Sequence, residues 1–331
     1  MMPTKLTSRR GLIALAASAA LAVGALAAVP AAAETWPSRP IRFVVPFAAG
    51  SATDTLARVL GQKVSQTLGQ PVVVENLPGA TGQIAANNVA RSAPDGYSVL
   101  VTSNSTHASN QALYRKLSYD PVKDFEPVTT LGTITLALVV NPKVPASTVQ
   151  ELIAYARANP GKLTFGAGSA SSRLAVEMLK TRAGIDILYV PYKSNPQAVS
   201  DLLGGQIDLM FADISTTLPS ARAGKLRALG VSSAERSALA PELPTMGEAG
   251  IAGYELTAWF AAFVPAKTPQ AIVVTLNAAM VGAMKDPAVR ASLLAAGIEP
   301  SSSSPADLAA FVASETRKWA EITKAAGIEP E

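Results

Sequence analysis

The chain has 331 residues, one histidine and no cysteine, and it carries 28 Lys and Arg against 24 Asp and Glu. The absence of cysteine excludes disulfides, thiolate metal sites and cysteine nucleophiles, and a single histidine cannot form a histidine metal cluster. Three of the basic residues precede Glu34, which leaves 25 basic and 24 acidic residues and a net charge of +1 for the remainder. The basic character of the whole chain therefore gives no argument for nucleic-acid binding.

The first 33 residues have the pattern of a signal peptide. A start containing Arg9-Arg10 precedes an apolar stretch over residues 11–29, and Ala31-Ala32-Ala33 offers a cleavage site before Glu34. A membrane anchor is the rival interpretation, because the apolar stretch approaches the length that spans a bilayer. We expect cleavage, export to the periplasm by the general or the twin-arginine route, and a soluble mature protein.

Residues 39–60 predict a strand, a small-residue loop and a helix in direct succession. Ile41–Val45 is apolar and β-branched, residues 48–51 are small, and Thr53 and Asp54 can cap the helix that follows. A loop before a helix N-terminus offers unpaired N–H groups and the positive end of the helix dipole, which suits a carboxylate. An ordinary βα turn is the alternative. A phosphate-binding P-loop is excluded, because its Lys-Ser/Thr pair is missing.

The same alternation of apolar strands, polar loops and helices continues along the chain. Residues 103–110 are predicted to be a polar loop that faces the loop around Gly50. Further strands are predicted at 72–76, 97–102, 133–140, 163–165, 187–191, 207–213, 226–232 and 254–264, and helices at 83–91, 148–158, 173–183, 197–203, 269–285, 287–296 and from 305 to the end.

Repeated strand–loop–helix units predict an α/β fold with parallel, doubly wound sheets, in which ligands bind beyond the carboxyl ends of the strands. Because the arrangement occurs twice, we expect two α/β lobes joined by two crossover strands, with the ligand cleft between them. The first lobe is predicted to comprise residues 34–131 and 255–331, and the second lobe residues 132–254.

Segments spread over nearly all of the chain after residue 34 resemble one family of receptors. They include WPSRPIRFVVPFAAGSATDTLAR, LGQPVVVENLPGATGQIAANNVARSAPDGYSVL, THASNQALY, VPYKSNPQA and DLLGGQIDLMF. The chain resembles the periplasmic solute-binding receptors of the tripartite tricarboxylate transporter family, often called Bug-type receptors. The resemblance implies a type II periplasmic binding protein that captures a small di-, tri- or aromatic carboxylate and delivers it to membrane permease subunits. We expect a monomer with no cofactor, metal site or nucleic-acid partner.

Receptors of this family hold a ligand carboxylate largely through loop backbone groups and ordered water, which the resemblance carries over to two facing loops of the first lobe. An ionised Asp54 would repel an anion, so we expect it to cap the helix or to hold a water. His107 either donates to a carboxylate or is satisfied by backbone groups. The first-lobe candidates are Phe47, Ala48, Ser51, Thr53, Asp54, Ser103, Thr106 and His107.

The second lobe supplies the other candidates. Arg173 is predicted at a helix start, where the dipole disfavours a cation, and a bidentate contact to a second ligand carboxylate would offset that cost. A solvated arginine is the alternative. Tyr192 and Asp213 lie just past strand ends. The second-lobe candidates are Ser169, Ser171, Ser172, Arg173, Tyr192 and Asp213.

Three classes of function are compatible with these features, and a binding receptor without catalysis is the leading one. A hydrolase would need a nucleophile and a base, but His107 has no Gly-x-Ser-x-Gly elbow beside it. A sensor that presents its ligand-bound form to a signalling protein would use the same closed form as a transport receptor, so the sequence leaves this alternative open.

Overall fold

The computed structural model describes residues 36–331, so the predicted signal peptide lies outside the described residues. The strands are β1 Ile41–Val45, β2 Val72–Asn76, β3 Ser98–Ser103, β4 Phe125–Val140, β5 Thr164–Ala167, β6 Leu188–Pro191, β7 Leu209–Asp213, β8 Arg227–Val231, β9 Thr257–Pro265 and β10 Ile298–Glu299. The α-helices are α1 Ala52–Leu68, α2 Gln83–Ala90, α3 Asn110–Leu113, α4 Val149–Ala158, α5 Ala170–Ala183, α6 Asn195–Gly204, α7 Ile214–Arg222, α8 Gln270–Lys285, α9 Pro287–Ala295 and α10 Pro305–Ala325.

The sheet is mixed, with two parallel parts joined by antiparallel strands. Its order is β2-β1-β3-β9-β4-β7-β5-β6, and β8 and β10 also pair with β4. β1 is parallel to β2 and β3, and β5 is parallel to β6 and β7. Between these parts, β9 runs antiparallel to β3 and β4, and β4 runs antiparallel to β7. Each parallel part keeps the βα order that the sequence predicts.

The two parts of the sheet are the centres of two lobes, as the sequence predicts. We call the elements built on β1, β2, β3 and β9 the first lobe, and those built on β5 to β8 the second lobe. Strand β4 passes from one to the other, because its residues as far as Thr135 pair with β9 and those from Leu136 onward pair with β7. The residue boundaries of the lobes stay a prediction.

Strand β1 is apolar except for Arg42, and helices α1 and α2 both pack against it. Ile41, Phe43, Val44 and Val45 are fully buried, as is usual for a strand inside a parallel sheet. Each such side chain contributes about 1.5–3 kcal/mol to the free energy of unfolding. This well-packed strand fixes the position of the loop that follows Val45.

The prediction of a polar loop over residues 103–110 was wrong. Ser105–Ser109 forms a π-helical turn that continues into α3, and the turn is buried. Several polar side chains here bond to one another: Asn104 Nδ2 donates to Ser109 Oγ at 3.0 Å, and the hydroxyls of Thr102 and Thr106 lie 2.7 Å apart. Internal hydrogen bonds therefore allow a polar segment to leave solvent.

Two helix starts also differ from the sequence predictions. Helix α5 begins at Ala170 rather than at Arg173, so Arg173 lies in the first turn rather than at the first residue. Helix α7 was not predicted at all, since its Ser and Thr residues and its internal Pro219 are poor helix signals. Both helices begin where a strand of the second lobe ends.

Within residues 36–331 no single helix is long and apolar enough to span a membrane, although the bent pair α8 and α9, with 72° between its members, reaches that length and hydropathy together. In the same part of the chain, no group of three or more His, Cys, Asp or Glu side chains is placed to hold a metal ion.

Candidate functional site

Four helix N-termini converge on one cavity within the described part of the chain. Strands β1, β5, β6 and β7 each lead into a helix, and the residues that precede α1, α5, α6 and α7 are Ser51, Ser169, Ser194 and Asp213. All four residues line the same cavity between the lobes. The first N–H groups of a helix have no partner within the helix, so each of these ends presents donors and a partial positive charge.

The cavity is lined mostly by residues with hydroxyl groups, and none of its described lining residues is cationic. It encloses about 20 Å³, which is room for about one water molecule. Phe47, Ala258 and Phe260 contribute apolar surface, and most of the others contribute hydroxyls. The lining residues are Phe47, Ser51, Thr53, Ser103, Ser169, Ser171, Ser194, Asn195, Asp213, Ala258 and Phe260.

The first-lobe loop is held in shape by Ser51 and Asp54. Ser51 Oγ accepts from the Asp54 backbone N–H at 3.2 Å and so caps α1. The Asp54 carboxylate accepts from the Gly50 N–H at 3.0 Å and from Asn76 Nδ2 at 2.9 Å, and it forms an ion pair of 2.9 Å with Arg58. Burial alone raises the pKa of Asp54, but the hydrogen bonds from Arg58, Gly50 and Asn76 outweigh it and lower the pKa. Asp54 thus holds the loop through these hydrogen bonds and does not line the cavity.

The end of β3 brings Ser103 to the cavity, but the π-helical turn after it does not bring Thr106 or His107 there. The Thr106 hydroxyl lies 2.9 Å from His107 Nδ1. The His107 ring stacks on Phe263 with 3.6 Å between ring centroids, and it is fully buried. Burial lowers the pKa of His107 to about 3. The side chain is therefore a neutral part of the core and does not line the cavity. Its ring nitrogen contacts a hydroxyl rather than the backbone groups that the alternative expects.

In the second lobe, α5 brings Ser169 and Ser171 to the cavity and directs the next two side chains elsewhere. Ser169 Oγ caps the helix by accepting from the Ser172 N–H at 3.2 Å. The Ser172 hydroxyl donates to the Phe211 carbonyl. Arg173 forms an ion pair with Glu331, with 2.7 Å between Nη1 and Oε1, and its guanidinium lies over the ring of Tyr189. The structure does not place Arg173 in the cavity.

Tyr192 lies just past the end of β6 and Asp213 is the last residue of β7, and the two side chains have different surroundings. The Tyr192 hydroxyl donates to Asp201 Oδ2 at 2.7 Å, and burial together with this bond raises the pKa of Tyr192 to about 12. Asp213 lines the cavity. Burial raises the pKa of Asp213 to about 6, against the opposing effect of the Ala52 backbone N–H.

Hydrogen bonds between the loops of the two lobes close the cavity. The Ala48 N–H donates to Ser194 Oγ at 3.1 Å, and the Ala170 N–H donates to Ser105 Oγ at 3.2 Å. The Ser171 hydroxyl donates to Asn104 Oδ1 at 3.1 Å. Because small-ligand pockets usually have volumes of roughly 300–1,000 Å³, a ligand can occupy this cleft only when these contacts separate.

Sequence reasoning missed four of the lining residues, Ser194, Asn195, Ala258 and Phe260. A signal for the first two was present, because a serine ahead of Asn195-Pro196 has the pattern of a helix N-cap followed by proline in the first turn. Ala258 and Phe260 belong to the apolar strand β9, and nothing in that run distinguishes the positions that face the cavity.

A two-lobe α/β fold with helix N-termini around an interlobe cavity is the architecture of a solute-binding receptor. Residues 56–328 match the family model described as the tripartite tricarboxylate transporter family receptor. The chain belongs to this family, whose receptors are periplasmic, and the predicted resemblance is confirmed.

Known relatives agree with this assignment. Protein BugT of Bordetella pertussis is 37% identical over 303 residues, which cover 91% of this chain and 93% of BugT. The structure of R. palustris Rpa4515 with adipate has a TM-score of 0.87 and 36% identity, and the match covers 89% of this chain and 100% of that chain. The structure of MatC from Rhodopseudomonas palustris with bound malate has a TM-score of 0.81 and 34% identity, covering 87% and 99%. These relatives are solute-binding receptors, and the chain is a receptor rather than an enzyme.

Proposed function

We propose that this receptor captures a small carboxylate in the cavity between its lobes and delivers it to the membrane permease subunits of a tripartite tricarboxylate transporter. The observation that carries the proposal is the convergence of four helix N-termini on one cavity. Such ends favour an anion through their free N–H groups and their dipoles.

The hydroxyls of the cavity complete an anion site without a charged partner. In the closed cleft, serine oxygens from the opposite lobe accept from the N–H groups of Ala48 and Ala170. A ligand carboxylate offers oxygen acceptors of the same kind with a negative charge, and hydrogen bonds to a charged acceptor are roughly twice as strong. Exchange of serine oxygens for ligand oxygens therefore favours the bound state.

A dicarboxylate is the first class of ligand to expect. Helix α1 contributes its N-terminus from the first lobe, and α5, α6 and α7 contribute theirs from the second. A ligand with a carboxylate at each end can contact both lobes at once and so favour closure. The relatives solved with adipate and with malate both hold dicarboxylates. Tricarboxylates and aromatic carboxylates belong to the same proposal as further candidates.

A thermal-shift screen tests the carboxylate class. The mature protein is heated with adipate, malate, citrate and benzoate, and with the neutral diamides of the first two as matched controls. A ligand present at about 100 times its Kd should stabilise the receptor by about 2.7 kcal/mol. We expect stabilisation by at least one dicarboxylate and none by its diamide. Equal shifts with the diamides, or no shift with any carboxylate, would contradict the proposal.

Delivery and export have their own tests. Uptake of the carboxylate selected by the screen should depend on this receptor in cells that carry its permease, and uptake unchanged by deletion of the receptor would contradict delivery.

The pattern of residues 1–33 supports export by a signal peptide. Sequencing of the exported protein should find an N-terminus near Glu34, and an intact Met1 in a membrane fraction would contradict cleavage.

A further inference from the structure

We propose that the carboxyl group of Asp213 takes up a proton from solvent when a carboxylate binds, so that the receptor captures its ligand together with one proton. The inference rests on the proposed function, because it concerns the same cavity. The receptor then binds the anion with Asp213 in its protonated form.

The carboxyl group of Asp213 is turned away from its own helix and toward the cavity. Asp213 is the N-cap residue of α7, yet its side chain accepts no hydrogen bond from that helix. The register of β7 against β4, with Asp213 opposite Leu136, holds its backbone in place. The side chain lines the cavity and interacts with the backbone N–H of Ala52, at the N-terminus of α1 in the other lobe. Asp213 thus occupies the place where a ligand carboxylate meets the helix ends.

Within residues 36–331, no cationic side chain forms an ion pair with Asp213. Of the described residues that line the cavity, Asp213 alone is ionisable, and burial raises its pKa to about 6. Charged groups on the elements around β7 and α7 have other partners. Three form ion pairs: Asp54 with Arg58, Glu177 with Lys180 and Glu331 with Arg173. The others form hydrogen bonds: Asp201 accepts from Tyr192, Glu126 accepts from the Lys267 N–H, Arg182 donates to the Ala252 carbonyl and Arg222 donates to the Leu239 carbonyl.

A ligand carboxylate at the helix ends brings a second negative charge next to Asp213. Two carboxylates that share one site cannot both stay ionised, so one proton remains between them. The protonated carboxyl then donates a short hydrogen bond to the ligand carboxylate, which is stronger than a bond between neutral groups. The proton enters from solvent on binding and returns to solvent on release.

The sign of the pH dependence follows from this exchange. Above pH 6 the free receptor carries an ionised Asp213 and must gain a proton to bind, so affinity falls as the pH rises. With a pKa of about 6 in the free receptor, the affinity should fall about fifty-fold between pH 6 and pH 8 while the complex stays protonated. Lowering the pH from 6 to 5 should change the affinity little as long as the ligand stays ionised.

Calorimetric titration measures the proton directly. Adipate and malate are titrated into the mature receptor at pH 7.5 in two buffers of different ionisation enthalpy. We expect an uptake close to one proton per bound ligand. The Asp213→Asn variant should bind without proton uptake and with an affinity that is nearly constant between pH 6 and pH 8. The control is Asp208→Asn, a second-lobe aspartate outside the cavity whose Oδ2 accepts from the Thr164 N–H at 2.8 Å, and this variant should keep the uptake.

The outcomes separate this inference from the proposed function. Binding of a dicarboxylate without proton uptake overturns the inference and leaves the carboxylate receptor intact. Uptake that persists in Asp213→Asn overturns the assignment to Asp213. A lack of binding by both dicarboxylates between pH 5 and pH 8 overturns the inference together with the proposed function.

If Asp213→Asn does not fold, a pH titration of the wild-type Asp213 carboxyl carbon by NMR decides. We expect the midpoint of its chemical-shift change near pH 6 in the free receptor and above pH 8 with saturating adipate. An unchanged midpoint overturns the inference.

Discussion

No cationic side chain among the described residues lines the cavity between the lobes. The sequence offers Arg173 and His107 as partners for a carboxylate, and both side chains are engaged away from the cavity. What remains is backbone N–H groups, hydroxyls and one carboxyl group. The proposed anion site therefore depends on how the helices are placed rather than on a particular cation.

Arg173→Ala should leave the affinity for a dicarboxylate within about twofold of wild type, because Arg173 contacts Glu331 and Tyr189 instead of the cavity. Its ion pair and its contact with the tyrosine ring should together contribute about 1 kcal/mol to the free energy of unfolding. Calorimetric titration and urea denaturation measure the two effects. A tenfold loss of affinity with unchanged stability would place Arg173 in the site after all.

His107 should stay neutral wherever the receptor is folded. Its pKa of about 3 results from burial, so its ring protons should keep constant chemical shifts between pH 5 and pH 8. The chain has a single histidine, and its NMR signals therefore need no assignment. A titration with a midpoint near 6.5 would show an accessible ring and would contradict its place in the core.

At the scale of helices and strands, the proposed site is a set of helix starts, and the starts of α1 and α5 are each capped by a serine hydroxyl. Ser51 and Ser304 make a matched pair, because each is a serine N-cap that accepts from the N–H of an aspartate three residues later, Asp54 and Asp307. Only Ser51 lines the cavity. Comparison of the two separates what a cap does for stability from what it does for binding.

Ser51→Ala and Ser304→Ala should each lower the free energy of unfolding by about 1 kcal/mol, which is typical for loss of a serine cap. Ser51→Ala should also weaken carboxylate binding by roughly two- to tenfold, the effect of losing one ordinary hydrogen bond. Ser304→Ala should leave binding unchanged. Urea denaturation and calorimetric titration provide the comparison, and equal affinities for the two variants would remove Ser51 from the binding surface.

The sequence predicts most of the elements because their signals are local. The apolar run of β1 can be read directly from residues 41–45. The prediction that Thr53 or Asp54 caps α1 was wrong, because both lie inside the helix and Ser51 is its N-cap. The site is predicted less completely, because it is defined by contacts between segments far apart in the chain. Pairing of Arg173 with Glu331 and burial of His107 against Phe263 depend on how α5, α10 and the strands pack, which no local pattern records.

For the whole molecule, the relation of the two lobes depends on β4, which pairs with strands of both. Gly132 lies in this strand with a φ of +133°, next to Glu299 of β10. A methyl group at this position would overlap the Glu299 backbone carbonyl, and the φ value is one that other residues rarely adopt. The crossing strand therefore requires glycine at this point.

Gly132→Ala should lower the free energy of unfolding by about 2–3 kcal/mol through backbone strain and steric overlap. Gly282→Ala is the matched control, because Gly282 lies within α8 and a methyl group there meets nothing within 4 Å. That variant should be about 0.5–1 kcal/mol more stable than wild type. Thermal and urea unfolding test the pair, and a Gly132→Ala protein as stable as wild type would contradict the strain at the crossing.

Helix N-termini from both lobes are proposed to hold the ligand carboxylate without a cationic side chain. A crystal structure of the mature receptor with the dicarboxylate that stabilises it most tests this claim directly. It should show carboxylate oxygens within about 3 Å of backbone N–H groups at the starts of α1 and α5, with Asp213 beside one of them and Arg173 still paired with Glu331. A ligand bound to Arg173, or one seated away from Ser51, Ser169 and Asp213, would contradict the account.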